Sequence, residues 1–295
     1  MFTTLFAFGD SLSDAGNDFY IDGGTDPVSP YFQGHFSNGP TWVEDLSQML
    51  GLGSLTPSLK YGYYGHDFAF GGAETGPTAI EGVNPGDLFG QVAQYAVLHP
   101  TPVGGALYTL DIGGNDIIKA LDELHAGQIG PSVAGTVVAQ AEANTVHAVE
   151  TLFALGARNL LFYEVPDLGL TPHFRAEGPS WQNLASGLAK SFDQTVLSDL
   201  VPLEHLGLKV YDLPTYADLD LVASNPSYFA SQYGTTFTNV TDPGWTGNFT
   251  SSSSGILRPG YQDYLFFDTV HPTALTHQLT ADIAYHNTLT AAPLT

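Results

Sequence analysis

Two separated segments of this chain can be combined into nucleophilic chemistry. One is the serine of Gly9-Asp-Ser11-Leu; the other is the acid and imidazole of Phe267-Asp268-Thr-Val-His271-Pro272. A serine hydroxyl is a weak nucleophile near neutral pH and needs a neighbouring base to take its proton. An imidazole does this when a carboxylate orients its second ring nitrogen and stabilises the cation formed during attack. Neither segment is decisive alone, because Gly-Asp-Ser is also ordinary turn chemistry. Together they supply a nucleophile in Ser11, a base in His271 and an orienting acid in Asp268.

Such a site needs elements that deliver its parts to one place. The β-branched and aromatic run from Thr3 to Phe8 suits a buried strand, and Gly9 permits backbone angles that a side chain forbids, so Ser11 falls on a tight turn. Residues 66–70 read as a second strand closed by Gly71-Gly72, and 106–112 as a third that delivers Gly113-Gly-Asn115-Asp116. Residues 159–165 and 208–213 complete the strand set. Helical spacing marks about 87–98, 133–155 and 181–200, and a helix within 273–289 follows His271. A further helix ends at Gly51, with Pro40 in its first turn, Asn38 or Gly39 as cap, and Trp42, Val43, Leu46, Met49 and Leu50 as its apolar stripe. The alternation predicts an α/β fold: a three-layer α/β/α sandwich around a mostly parallel sheet of about five strands, with the site at the strand C-termini. One domain over 1–295 is expected, with surface excursions at about 18–39 and 225–263, where Gly, Pro, Ser, Thr and Asn concentrate.

Four blocks in order carry a family resemblance: Phe8-Gly-Asp-Ser-Leu-Ser-Asp-Ala-Gly-Asn17, Phe68-Ala-Phe-Gly-Gly72-Ala, Ile112-Gly113-Gly-Asn115-Asp116 and Asp268-Thr-Val-His271-Pro272-Thr. The chain resembles the GDSL or SGNH hydrolases, serine esterases and lipases, and most closely their exported lipase, phospholipase and esterase branch. The resemblance implies carboxylic-ester hydrolysis by Ser11, His271 and Asp268. It also implies an oxyanion hole made of the Ser11 N–H, the Gly72 N–H and the Asn115 amide. No cofactor and no metal are implied; the expected partner is a small-molecule or lipid ester, and the expected location is secreted or periplasmic. Without the resemblance, Asn115 reads as a turn residue ahead of a helix, and Gly71-Gly72 as a plain strand-ending turn. Two departures stand out: His35 occupies a place where an arginine is usual, and the 225–263 stretch lacks the cysteine pair that many relatives carry. His35 therefore reads either as a pocket residue or as an idle loop histidine, and the 225–263 stretch as held by packing or mobile. Carbohydrate O-acetyl-ester hydrolysis and acyl transfer to another alcohol remain open on the same residues. A silent binding module and a two-carboxylate glycosidase are the rivals from other classes.

Composition narrows the partners. Seven basic against 30 acidic residues give a formal net charge of −23, which repels phosphate backbones and anionic lipid. Nucleic acid is not an expected partner. Hydrophobic residues make up 43% and charged residues only 13%, a balance suited to a packed core. No cysteine is present, so disulfides, thiolate metal sites and a cysteine nucleophile are excluded. Met1 leads directly into the first strand without a secretory signal, and no apolar run is long enough for stable membrane insertion. Asp10 and Asp14 are expected to brace the nucleophile turn through backbone amides. His147, His173, Asp218 and Asp220 read as structural, and the sequons at Asn239 and Asn248 matter only in a eukaryotic secretory path. Oligomeric state is left open.

Overall fold

Strand β1 (Leu5–Gly9) is buried along its whole length, and its side chains alternate between two cores. The computed structural model describes residues 2–60, 65–80, 82, 84–250, 254–291 and 293. After β1 come α1 (Asn17–Ile21), α2 (Trp42–Met49) and α3 (Leu88–Leu98), then β2 (Leu107–Asp111). Helices α4 (Gly114–His125) and α5 (Pro131–Ala154) lead to β3 (Asn159–Tyr163). Next are α6 (Pro172–Glu177), α7 (Pro179–His205) and β4 (Lys209–Leu213). The chain ends with α8 (Thr215–Ser224), α9 (Ala230–Tyr233), β5 (Asn239–Pro243), β6 (Tyr264–Phe266) and α10 (Ala274–Ile283).

Strands β1 to β4 pair in parallel in the order β1-β2-β3-β4. Successive side chains point to opposite faces of a strand. Phe6 and Phe8 therefore join Tyr108, Leu110, Leu160 and Phe162 in the core that carries α3, α5 and α7. Leu5 and Ala7 join Leu107, Leu161 and Tyr163 in the core that carries α2, α8 and α10. Covering both faces explains why β1, β2 and β3 are nearly continuous in apolar residues, and it produces the three expected layers.

The expected second strand differs in form. Residues 66–70 run beside the free edge of β1, where Phe68 N donates to Ala7 O at 2.8 Å and Phe70 N to Gly9 O at 3.2 Å, but among the described residues the ladder between them is one parallel bridge, Ala7↔Asp67. The Gly9 N–H that would continue the ladder to Phe68 O donates instead to the Gln91 side chain at 2.9 Å. The Asp67 N–H donates to Thr56 O and the buried Asp67 carboxylate accepts from Ala15 N and Ala69 N, so the segment is shared between β1 and its neighbours. The 225–263 excursion is held more firmly than its composition suggests. β5 and β6 pair in parallel, and the Gly244 and Trp245 N–H groups donate to Phe266 O and Phe267 O, just ahead of Asp268. Serines 251–253 lie outside the described residues.

Helix α2 begins differently from expectation. Thr41 is its cap, and Glu44 Oε2 reaches back to accept from both Thr41 N at 2.8 Å and Thr41 Oγ1 at 3.0 Å. This reciprocal capping satisfies donors that a helix start would otherwise leave open. Asn38 is diverted to a second helix, its Oδ1 accepting the Ala274 N–H at 2.8 Å. His35 is neither a pocket residue nor idle: it is buried, its Nε2 lies 2.8 Å from Glu44 Oε2, and its Nδ1 lies 2.8 Å from Phe32 O. Burial alone would lower its pKa, but the Glu44 hydrogen bond and charge, with Phe32 O, raise it overall, while Glu44 is held below its usual range.

A raised histidine pKa adds stability that is fully present below the ordinary value of 6.5 and is lost as pH climbs through the raised one. His35→Gln should therefore lower the melting temperature most near about pH 6, and the gap to the parent protein should narrow towards about pH 9. Paired thermal melts across that range check this, and a gap independent of pH would remove the ion pair.

Candidate functional site

The turn that carries Ser11 is built around a carboxylate from the neighbouring strand. Gly9 ends β1 with φ +149°, and a Cβ there would run into the Asp111 side chain at the end of β2. The space left by Gly9 lets Asp111 Oδ1 accept the Asp10 N–H at 2.9 Å, while Asp111 Oδ2 accepts from Ser13 Oγ and, at 3.2 Å, from Trp42 Nε1. On the other side the Gln91 amide of α3 bonds to both Gly9 N and Gly9 O. Asp10 Oδ1 accepts from Leu12 N at 3.0 Å. Asp14 accepts from Gly16 N, Asn17 N, Asp18 N and, at 3.0 Å, Gly71 N. The bracing expected of Asp10 and Asp14 is present, and Asp14 also ties the first block to the second. Asp111 was not among the expected site residues; its sequence signal is a lone acid ending the otherwise apolar run Leu107-Tyr-Thr-Leu-Asp111.

Ser11 is thereby held against a loop from the far end of the chain. That loop leaves β6 and folds back at once: Phe267 N donates to His271 O at 2.8 Å, and Phe266 forms an antiparallel bridge with Pro272. His271 Nε2 lies 2.8 Å from Ser11 Oγ, and His271 Nδ1 lies 2.7 Å from Asp268 Oδ2. Asp268 Oδ1 accepts the Val270 and His271 backbone N–H groups, and Oδ2 also receives the Tyr31 hydroxyl at 2.6 Å. The Phe36 ring stacks on the imidazole with centroids 5.4 Å apart.

Burial pushes the Asp268 carboxyl up, but the His271 charge and hydrogen bond, with the Tyr31 and backbone donors, bring it below its usual range. Burial pulls His271 down, and the Asp268 charge and hydrogen bond, helped by Asp10, bring it above 6.5. Asp10 itself is raised to about 6 by burial, partly offset by Leu12 N and His271. Burial and the facing Asp10 charge raise Asp111 well above the ordinary carboxyl range.

Asn115 opens α4 beside this turn. Its Nδ2 donates to Ala73 O at 2.9 Å and to Asp10 Oδ2 at 3.3 Å, so one amide joins the first three blocks. The next residue, Asp116, secures the arrangement by accepting from Thr75 N and Thr75 Oγ1. Gly72 lies on the adjoining turn with φ +69°, exposed, and a Cβ there would meet nothing within 4 Å. The structure thus brings Ser11, Asp268, His271 and Asn115 together, with Gly72 one residue from the carbonyl that holds Asn115. His173 lies outside this group, paired through Nε2 with Asp122, although its backbone N–H donates to Thr269 O in the Asp268–His271 loop. His147 is exposed beside Glu150.

A cavity of about 100 Å³ opens at Ser11, Asn115 and His271 and runs between the strand ends, α8 and α10. Its walls are mainly apolar, including Ile112, Val165, Leu168, Val222, Leu265 and Leu279. Among the described residues no group of three or more His, Asp or Glu side chains is arranged to hold a metal ion, and no helix is long and apolar enough to cross a membrane.

Comparison with known proteins finds relatives that match most of this chain. The chain is 30% identical over 302 residues to a Pseudomonas putida protein described as an uncharacterized protein in the trpE-trpG intergenic region, covering 96% of this chain and 48% of that protein. It is 26% identical to the thermolabile hemolysin of Vibrio parahaemolyticus, covering 94% of this chain and 62% of the relative. It is 27% identical to GDSL esterase/lipase 5 of Arabidopsis thaliana, covering 96% and 82%. The chain therefore spans about half to three fifths of the length of the two bacterial relatives. The family model for GDSL-like lipase/acylhydrolase matches residues 5–284, so the chain belongs to that family.

Proposed function

We propose that this protein hydrolyses carboxylic esters through a covalent acyl-enzyme on Ser11. The observation that carries the reading is the unbroken hydrogen-bond chain from Asp268 Oδ2 through His271 to Ser11 Oγ, at 2.7 and 2.8 Å. His271 Nε2 takes the hydroxyl proton as Oγ bonds to the ester carbonyl carbon. The imidazolium is stabilised by Asp268 and then passes the proton to the departing alkoxide as the carbon–oxygen bond breaks. Water enters the same cycle in reverse roles and releases the acid.

The oxyanion formed in each half needs donors fixed in advance. The Ser11 and Gly72 N–H groups and the Asn115 amide are assigned that role. Of the two Asn115 bonds, the one to Ala73 O at 2.9 Å anchors the side chain, and the one to Asp10 Oδ2 at 3.3 Å is longer. The hydrogen on that longer bond is the one assigned to the oxyanion. The apolar cavity takes the acyl chain, and at about 100 Å³ it suits an acyl group of few carbons, since an apolar cavity of roughly 150 Å³ admits one benzene.

Ser11→Ala should keep the fold and lose activity by roughly 10⁴-fold or more. A fluorophosphonate should label Ser11, and p-nitrophenyl esters should be cleaved fastest at short acyl length. An adduct on a different serine, or an alanine variant with most of its kcat, would show the nucleophile to be elsewhere. Asn115→Ala should lower kcat on the order of 10²- to 10³-fold with KM nearly unchanged. Steady-state kinetics paired with a thermal melt tests this, because a purely structural asparagine would lower the melting temperature and leave kcat near the parent value.

A further inference from the structure

We infer that Tyr31 is a positioning residue of this site: its hydroxyl shares the Asp268 carboxylate oxygen that holds His271, and so sets how strongly that carboxylate binds the imidazole. The inference rests on the hydrolase reading above. Tyr31 comes from the early loop, yet its O–H donates to Asp268 Oδ2 at 2.6 Å, the oxygen that also accepts from His271 Nδ1 at 2.7 Å. The carboxylate does not need this donor in order to be satisfied. Oδ1 already accepts two backbone N–H groups, from Val270 at 2.8 Å and from His271 at 2.7 Å. The phenol is added on the one oxygen through which Asp268 reaches the imidazole.

The ring is placed for this contact. Tyr31 is only 5% exposed, meets Phe267 edge-on at 5.0 Å and packs in one cluster with Phe267 and Trp245. Phe267 and Trp245 are themselves joined by the Trp245 N–H to Phe267 O bond at 2.6 Å. The phenol is thus carried by the same packing that carries Asp268. Burial, then the Asp268 charge and hydrogen bond, hold its pKa far above the ordinary phenol value, so it remains a donor throughout any working pH range.

A hydrogen bond to a carboxylate stabilises the charged form and draws density from the accepting oxygen. The O–H therefore competes with the imidazolium for Oδ2 and limits how far Asp268 raises His271. The other groups facing the imidazole lie on different elements: Asp10 on the nucleophile turn, His277 on α10 and the Phe36 ring. Replacing the Tyr31 hydroxyl leaves all three in place.

The test is an NMR titration of the His271 imidazole in ¹⁵N-histidine-labelled protein, for the parent and Tyr31→Phe, alongside the pH profile of kcat/KM. Loss of the O–H should move the His271 midpoint up by about half a pH unit or more, and the acid limb of kcat/KM should move with it. A second comparison reverses the sign: 3-fluorotyrosine placed at position 31 donates more strongly and should move the midpoint down. In an Asp268→Asn background the Tyr31→Phe shift should vanish, because there is no carboxylate left to share. Superimposable titration curves for the parent and Tyr31→Phe would overturn the inference. So would a shift that survives in the Asp268→Asn background, or one of the same sign for phenylalanine and fluorotyrosine. A lower melting temperature with an unmoved midpoint would assign Tyr31 to packing alone. The titration reads the coupling without any turnover, so a parent protein that cleaves no ester but shows the shifts would fail the hydrolase reading and keep this one.

Discussion

The turns at the C-terminal edge of the parallel sheet must bury backbone N–H groups that have no strand to pair with. Leaving such a donor unmet costs on the order of 1–3 kcal/mol, and this chain meets the cost repeatedly with carboxylates. Asp111 takes the Asp10 N–H, Asp14 takes those of Gly16, Asn17, Asp18 and Gly71, Asp67 takes Ala15 and Ala69, and Asp116 takes Thr75. Asp268 does the same for Val270 and His271 in the loop that carries the base. The acidic bias of the composition is thus partly architectural. Burial makes several of these acids hold protons to higher pH: Asp14 to about 6 and, with the Glu74 charge adding to burial, Asp116 to about 8. The formal charge of −23, which counts every carboxyl as ionised, overstates the charge that folding leaves in place.

The same framework explains what could be read from the sequence. Buried parallel strands are nearly unbroken apolar runs, and long helices repeat their apolar face, so β1 to β3 and α3, α5 and α7 are legible within a few residues. The four motif blocks are legible because they carry the family's residue types in the family's order. The rest depends on contacts between distant segments. Tyr31 reaches Asp268 across 237 positions, and nothing local distinguishes it from the other aromatics of its loop. His35 reads as a pocket residue or an idle loop histidine until Glu44 folds against it. The β5 strand is polar and short, so it carries no period-two signal, and its pairing with β6 depends on the segment that follows. The 66–70 segment does look like a strand; what interrupts its ladder is the Gln91 side chain taking the Gly9 N–H, a tertiary event.

The loop that closes on itself between Phe266 and Pro272 has a further consequence for how the molecule comes into being. Every strand of the main sheet lies before residue 214, and the nucleophile turn with its carboxylate braces belongs to that part. The imidazole that meets Ser11 stands 260 residues behind it. During synthesis Ser11 therefore emerges long before His271, and contacts of such sequence separation form late in folding. A weak nucleophile without its base is chemically quiet. In the proposed reaction the site is complete only once the Asp268–His271 loop has closed on Ser11, so activity would report on that long-range contact.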